Sequence, residues 1–289
     1  MSGGGSGGAA ATGKARPRRR LSRTFSRARW REYRRLLEIA SAHGYRVVSL
    51  EDWISDDPIS HGVERTLIVR HDVDRHPRSA LVMAAIEEDL GHRSTWYFRW
   101  RTAHARVVEH IRARGFAVGL HYETLSRRVL QTGLGPSDDL STLIDESREL
   151  LRAELAAFAD RHGPVRSACP HGDSRVPWIH NGVLLREQNL ETYGIEFDGN
   201  EAMRGRKLGY WLTDRPTADG GWKDQVDPST LLPRGVSPIL CLTHPDNWAS
   251  GPSVGSDRVL ARLIHRDGGE DDPALGGPTA LTGSDELPP

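Results

Sequence analysis

Residues 66–74 read TLIVRHDVD: an apolar, β-branched run that breaks into Arg70, His71 and two aspartates one residue apart. The run has the length and composition of a buried strand. Its end is the unusual part. Asp72 and Asp74 on an extended chain point to the same side, and like charges that close are unfavourable unless a cation lies between them or one carboxyl keeps its proton. Either escape is chemistry, and either needs partners from elsewhere in the chain.

On both sides of this stretch, short β-rich runs alternate with amphipathic helical ones. TLIVR precedes SALVMAAIEEDLG (79–91), and STWYFRW (94–100) precedes AHARVVEHIRARG (103–115). FAVGLHY (116–122) leads through a loop to the long DDLSTLIDESRELLRAELAAFADRHG (138–163), and VRSACP (165–170) precedes WIHNGVLLREQNL (178–190). YGIEFDG, GYWLTD and SPILCLTHP come next, the last succeeded by the helix-like SDRVLARLIHR (256–266). Strands that alternate with helices indicate parallel strands, wound open or closed into a barrel.

At 289 residues the chain is long enough for one α/β barrel. Lys plus Arg equal Asp plus Glu at 39 each, so net charge gives no reason to expect nucleic acid as partner. MSGGGSGGAAATG cannot bury enough surface to fold, and the Arg-rich run after it reads as a solvated arm. Trp30, Tyr33, Leu36, Leu37 and Ala40 then fall at helical spacing. We therefore expect a disordered tail over 1–25, a single catalytic domain over 26–266 and a disordered acidic tail over 267–289. No apolar stretch succeeds the basic start, as a secretory or twin-arginine signal would require, and no segment approaches a membrane span. A soluble, cytoplasmic protein is expected. The two cysteines, Cys169 and Cys241, form no CxxC and read as small buried residues.

Four strand candidates share one property. TLIVR ends at His71, Asp72 and Asp74, FAVGL at His121, VRSACP at His171 and SPILCLT at His244. In parallel α/β architecture, residues just past the strand C-terminal ends converge on one face. His121, His171 and His244 are expected to meet Asp72 and Asp74 there, with the two aspartates sharing a cation, or one binding it beside a neighbour that serves as base. Imidazole with carboxylate suits zinc, and these donors also accept cobalt, nickel or manganese.

RHDVD, GLHYE, CPHGD, YWLTD with the later Trp222, and LTHPDNW resemble, in order from about residue 66 to 248, the motifs of the polysaccharide deacetylase superfamily. These are the carbohydrate esterases with a NodB homology domain, and the flavour here is that of the DVD-bearing branch. The resemblance implies a distorted (β/α) barrel of about seven parallel strands and metal-dependent removal of an N-acyl group from an amino sugar. It makes Asp72 the general base, His244 the general acid, and Asp74 and His121 metal ligands. One position departs: the second metal-binding histidine expected four residues after His121 is Leu125. His171 is the replacement expected, with Glu123 and Asp173 behind it.

Substrate contacts are expected from Arg99, Asp173, Asp214, Trp222 and Trp248, with Trp96, Trp100, Trp211 and Arg101 as further candidates. Aromatic faces suit the apolar side of a pyranose, while core packing and ion pairing are the competing roles. Two other functions stay open: a non-catalytic carbohydrate-binding relative, and a glycosyltransferase that reads DVD as its metal-diphosphate motif.

Overall fold

The computed structural model describes residues 28–55, 65–204, 206, 208–214, 221–223 and 225–249. The tails expected at 1–25 and 267–289 and the helix expected over 256–266 lie outside the described residues. The chain runs α1 (Trp30–Ala42), β1 (Tyr45–Val48), α2 (Leu50–Ser55), β2 (Arg65–Val73), α3 (Arg78–Asp89), β3 (Thr95–Phe98), α4 (Ala105–Ala113) and β4 (Ala117–Tyr122). It continues through α5 (Thr124–Thr132), α6 (Ser141–His162), β5 (Ser167–Pro170), β6 (Phe197–Asp198), α7 (Glu201–Arg204), β7 (Tyr210–Thr213), α8 (Pro228–Leu231), β8 (Ile239–Thr243) and α9 (Pro245–Trp248). None of the described helices is long and apolar enough to cross a membrane.

Every strand pairing is parallel. The neighbours run β6-β5-β4-β3-β2-β8-β7, with β1 also on β2. Taken from β2, this is the cyclic order of a (β/α) barrel, left unpaired between β6 and β7 among the described residues. Side chains prove the curl. In a flat sheet β2 and β6 would stand about 19 Å apart at about 4.8 Å per strand, yet Arg70 of β2 donates to Asn200, just past β6, at 2.7 Å.

Burial along β2 separates by parity, as a period of two requires. Leu67, Val69 and Val73 join the large apolar layer under the helices, with Leu37, Met83, Val108 and Leu155. Ile68 joins Tyr97, Cys169, Phe197, Met203 and Leu240 in a second cluster inside the barrel. Leu50 and Trp53 of α2 also belong to it, and Glu51 accepts from Ser167 at 2.6 Å and from Thr95, so α2 plugs the end where the strands begin. Arg70, Asp72 and Asp74 share the parity of Ile68.

Several elements depart from the sequence expectation. β1 and α2, only 4 and 6 residues long, build the barrel floor, and α5 replaces the loop expected after FAVGLHY. The helix expected over 178–190 is instead two 3-10 turns, Asn181–Leu184 and Leu190–Tyr193. There Asn181 is tied down, accepting from the Ser126 amide at 3.0 Å and donating to the His171 carbonyl at 2.7 Å, which holds the chain off a helical path.

Candidate metal and catalytic centre

Asp74, His121 and His171 bring one donor atom each to a common point. Asp74 Oδ1 lies 3.5 Å from His121 Nε2 and 3.5 Å from His171 Nε2. Donors held about 2.0–2.2 Å from a tetrahedral zinc stand about 3.3–3.6 Å from one another, so the spacing fits a cation. Asp74 Oδ1 is also buried without a hydrogen-bond partner, a cost that a cation would remove. The Nδ1 of His121 donates to the carbonyl of Cys169 at 3.0 Å, which leaves the Nε2 lone pair facing Asp74. Burial outweighs the opposing charges of Asp72 and Asp74 and pulls His121 down to about 4, so the ring is neutral at pH 7, as a ligand must be. Burial works against ionising Asp74, but the imidazoles of His171, His121 and His244 around it hold its carboxyl below the usual range.

A second group, Asp72, His121 and Cys169, also converges, but Arg70 occupies it. The guanidinium donates through Nε to Asp72 Oδ1 at 2.9 Å and through Nη2 to Oδ2 at 2.8 Å, and Nη2 also meets Cys169 Sγ. A fixed positive charge there opposes a cation, and burial pushes the Cys169 thiol well above its ordinary value. What Arg70 does instead is hold Asp72. Burial would protonate that carboxyl, yet Arg70 and then His121 lower it below its ordinary value. Asp72 stays ionised beside the cluster of Asp74, His121 and His171, its Oδ2 3.5 Å from His121 Nε2.

His244 caps α9 on the opposite wall. Its Nδ1 donates to Asp214 Oδ1 at 2.7 Å, so Nε2 faces Asp74 Oδ2 at 4.0 Å. Asp214 sits just past β7, beside β8, and its Oδ2 accepts from the His244 amide at 2.9 Å and from Trp248 Nε1 at 2.8 Å. Burial lowers the imidazole, but the Asp214 hydrogen bond and the charges of Asp214, Asp72 and Asp74 prevail and push His244 up to about 9. It carries a proton at neutral pH.

The residues expected to touch substrate are mostly committed to neighbours. Asp214 is only 2% exposed and spends both oxygens on His244 and Trp248, so it orients the imidazole rather than a sugar. Trp248 is buried as well, edge-on to Tyr33. Arg99 is buried and ion-paired with Glu123, and Asp173 takes two hydrogen bonds from the Arg175 guanidinium. Trp222 packs against Trp248 but stays half-buried, which leaves it the remaining aromatic rim residue of the five. His71 faces the helices instead of the mouth, bonded to Glu87 and Thr243 at 2.6 Å each and stacked on Trp96. Leu125 is buried in the helix-side core. Arg70, the holder of Asp72, is absent from the sequence expectation, although its parity with Asp72 is visible in TLIVRHDVD.

No family model matches this sequence, and no curated protein does. Among solved structures, the chain is similar to a family 4 carbohydrate esterase from Bacillus anthracis, at 9% identity over 80% of this chain and 86% of that one, with a TM-score of 0.35. The functional reading rests on the strand order and on the convergence of Asp72, Asp74, His121, His171 and His244, not on that likeness.

Proposed function

We propose that the protein is a metal-dependent hydrolase that removes an N-acyl group, acetyl as the first expectation, from an amino sugar in a glycan precursor or glycosylated natural product. One observation carries the reading: an ionised carboxylate, Asp72, and an imidazole poised with its proton, His244, flank a three-donor cluster of Asp74, His121 and His171. A divalent cation held by that cluster, zinc in the first instance, would polarise the acyl carbonyl and acidify a water. Asp72 accepts the proton that the attacking water loses, and Arg70 keeps its oxygens aimed for that transfer. His244 gives its Nε2 proton to the departing amine, which otherwise leaves poorly. Water and amide thus become carboxylic acid and free amine, which leaves Asp72 protonated and His244 neutral until exchange with solvent resets both.

The five ordered motifs that resemble polysaccharide deacetylases support the substrate class, and the half-buried Trp222 supports a ring-shaped ligand. A nucleotide-sugar transferase would need the two aspartates but would give His244 and its Asp214 partner no task. The test is acetate release from N-acetylated amino sugars. Asp72→Ala and His244→Ala are expected to lose activity by about 10²- to 10⁴-fold, and unchanged rates in both would overturn the assignment.

A further inference from the structure

We infer that Glu123 is the outer partner of the third ligand: its carboxylate receives the Nδ1 proton of His171, and Arg99 holds that carboxylate in position. This rests on the metal reading of Asp74, His121 and His171 and asks how a ligand on a loop is aimed. An imidazole that offers Nε2 to a cation carries its proton on Nδ1, and that N–H needs an acceptor. For His121 the acceptor is the Cys169 carbonyl. For His171 it is not yet engaged: Nδ1 is buried with no hydrogen-bond partner, and Glu123 Oε2 stands 3.8 Å away. A shift of less than an ångström closes that gap.

The backbone of His171 is already fixed, its amide donating to the Tyr122 carbonyl at 2.8 Å and its carbonyl accepting from Asn181 at 2.7 Å. The ring is therefore the remaining freedom, and Glu123 lies on its Nδ1 side while Asp74 lies on its Nε2 side. Arg99, at the end of β3, ion-pairs with Glu123, at the end of β4, next to His171 at the end of β5. Three successive strand ends thus line up guanidinium, carboxylate and imidazole behind the cation position. A carboxylate behind an imidazole strengthens it as a donor and fixes its tautomer. That would offset the loss of the helical ligand whose place Leu125 takes.

The experiment uses the full chain, stripped of metal and titrated with Zn²⁺ against a chromophoric chelator. Glu123→Ala leaves Arg99 buried without its partner, so Arg99→Met/Glu123→Ala is measured beside it, with circular dichroism of each metal-free variant. Zinc affinity is expected to fall by about 10- to 100-fold in both, while the Co²⁺ absorption band keeps its tetrahedral intensity, unlike that of His171→Ala. Zinc-loaded wild type is also expected to show a protected, downfield imidazole N–H resonance that His171→Ala removes. Wild-type affinity in the double variant, a Co²⁺ band in Glu123→Ala that matches His171→Ala, or no such resonance in the wild type would each overturn the inference. Wild type that takes up neither Zn²⁺ nor Co²⁺ would bring down the metal reading itself, a different failure.

Discussion

His244 and Asp214 show how two side chains set a working pH range. An isolated imidazole titrates near about 6.5, and the Asp214 contact outweighs burial to bring His244 up to about 9. As the proposed proton donor it is competent only while protonated, so kcat/KM should fall on the alkaline side, at a pH above that at which an ordinary imidazole titrates. Asp214→Asn keeps the shape and removes the charge, and the alkaline limb should move down by at least one pH unit. A pH profile of both proteins checks this, and a limb that stays put would remove Asp214 from the mechanism. Linkage has the same origin: with the folded value raised, the stability His244 contributes is complete below about pH 6.5 and lost as pH rises through about 9. None of this pairing could be read locally. It depends on β7 lying against β8, where the Asp214 amide bonds the Leu242 carbonyl at 3.2 Å, a relation 30 residues distant in sequence. Asp72 and Asp74, by contrast, announce themselves by repulsion across two residues.

The strands were legible because each carries its own signal. A buried β-branched run such as LIV in β2 or ILCL in β8 needs no distant partner to be recognised, and the periodicity of α3, α4 and α6 is equally local. β1 and α2 were missed because YRVV and LEDWIS are short, and what fixes them is a neighbour: β1 pairs with the first half of β2, and Leu50 and Trp53 of α2 enter the barrel. Gly119 of β4 makes the same point through close approach. A Cβ there would collide with the Ser167 carbonyl oxygen and meet the Tyr97 ring at 2.6 Å. The first is backbone of the adjoining strand and cannot turn aside. Gly119→Ala should therefore destabilise the protein by about 1–3 kcal/mol, read as a lower urea midpoint. It should also weaken zinc binding, since His121 lies two residues along the same strand. An unchanged midpoint would show that β4 and β5 have more room than the geometry gives them.

Curvature joins the strand ends into one site. His171 comes after β5 and His244 after β8, on opposite sides of β2 in the sheet order, yet both face the Asp74 carboxylate at 3.5 and 4.0 Å. The barrel thus gathers donors at its mouth: Asp74, with Oδ1 buried and unpartnered, meets His121 and His171 only when the chain is folded. A cation that meets this arrangement in the native state and not in the unfolded chain stabilises by RT ln(1 + [L]/Kd), about 2.7 kcal/mol at a hundredfold excess over Kd. Added Zn²⁺ should then raise the melting temperature of the stripped protein in proportion to log concentration, and a chelator should reverse the rise. Asp74→Ala removes one of the three donors. Its metal-free form is expected to melt somewhat below the wild-type temperature, because a carboxyl that nearby imidazoles hold below its ordinary range contributes stability at pH 7, and zinc should no longer shift it. A zinc-dependent rise that persisted in Asp74→Ala would place the cation elsewhere, and the crowding of carboxylates at the end of TLIVRHDVD would have another cause than a missing cation.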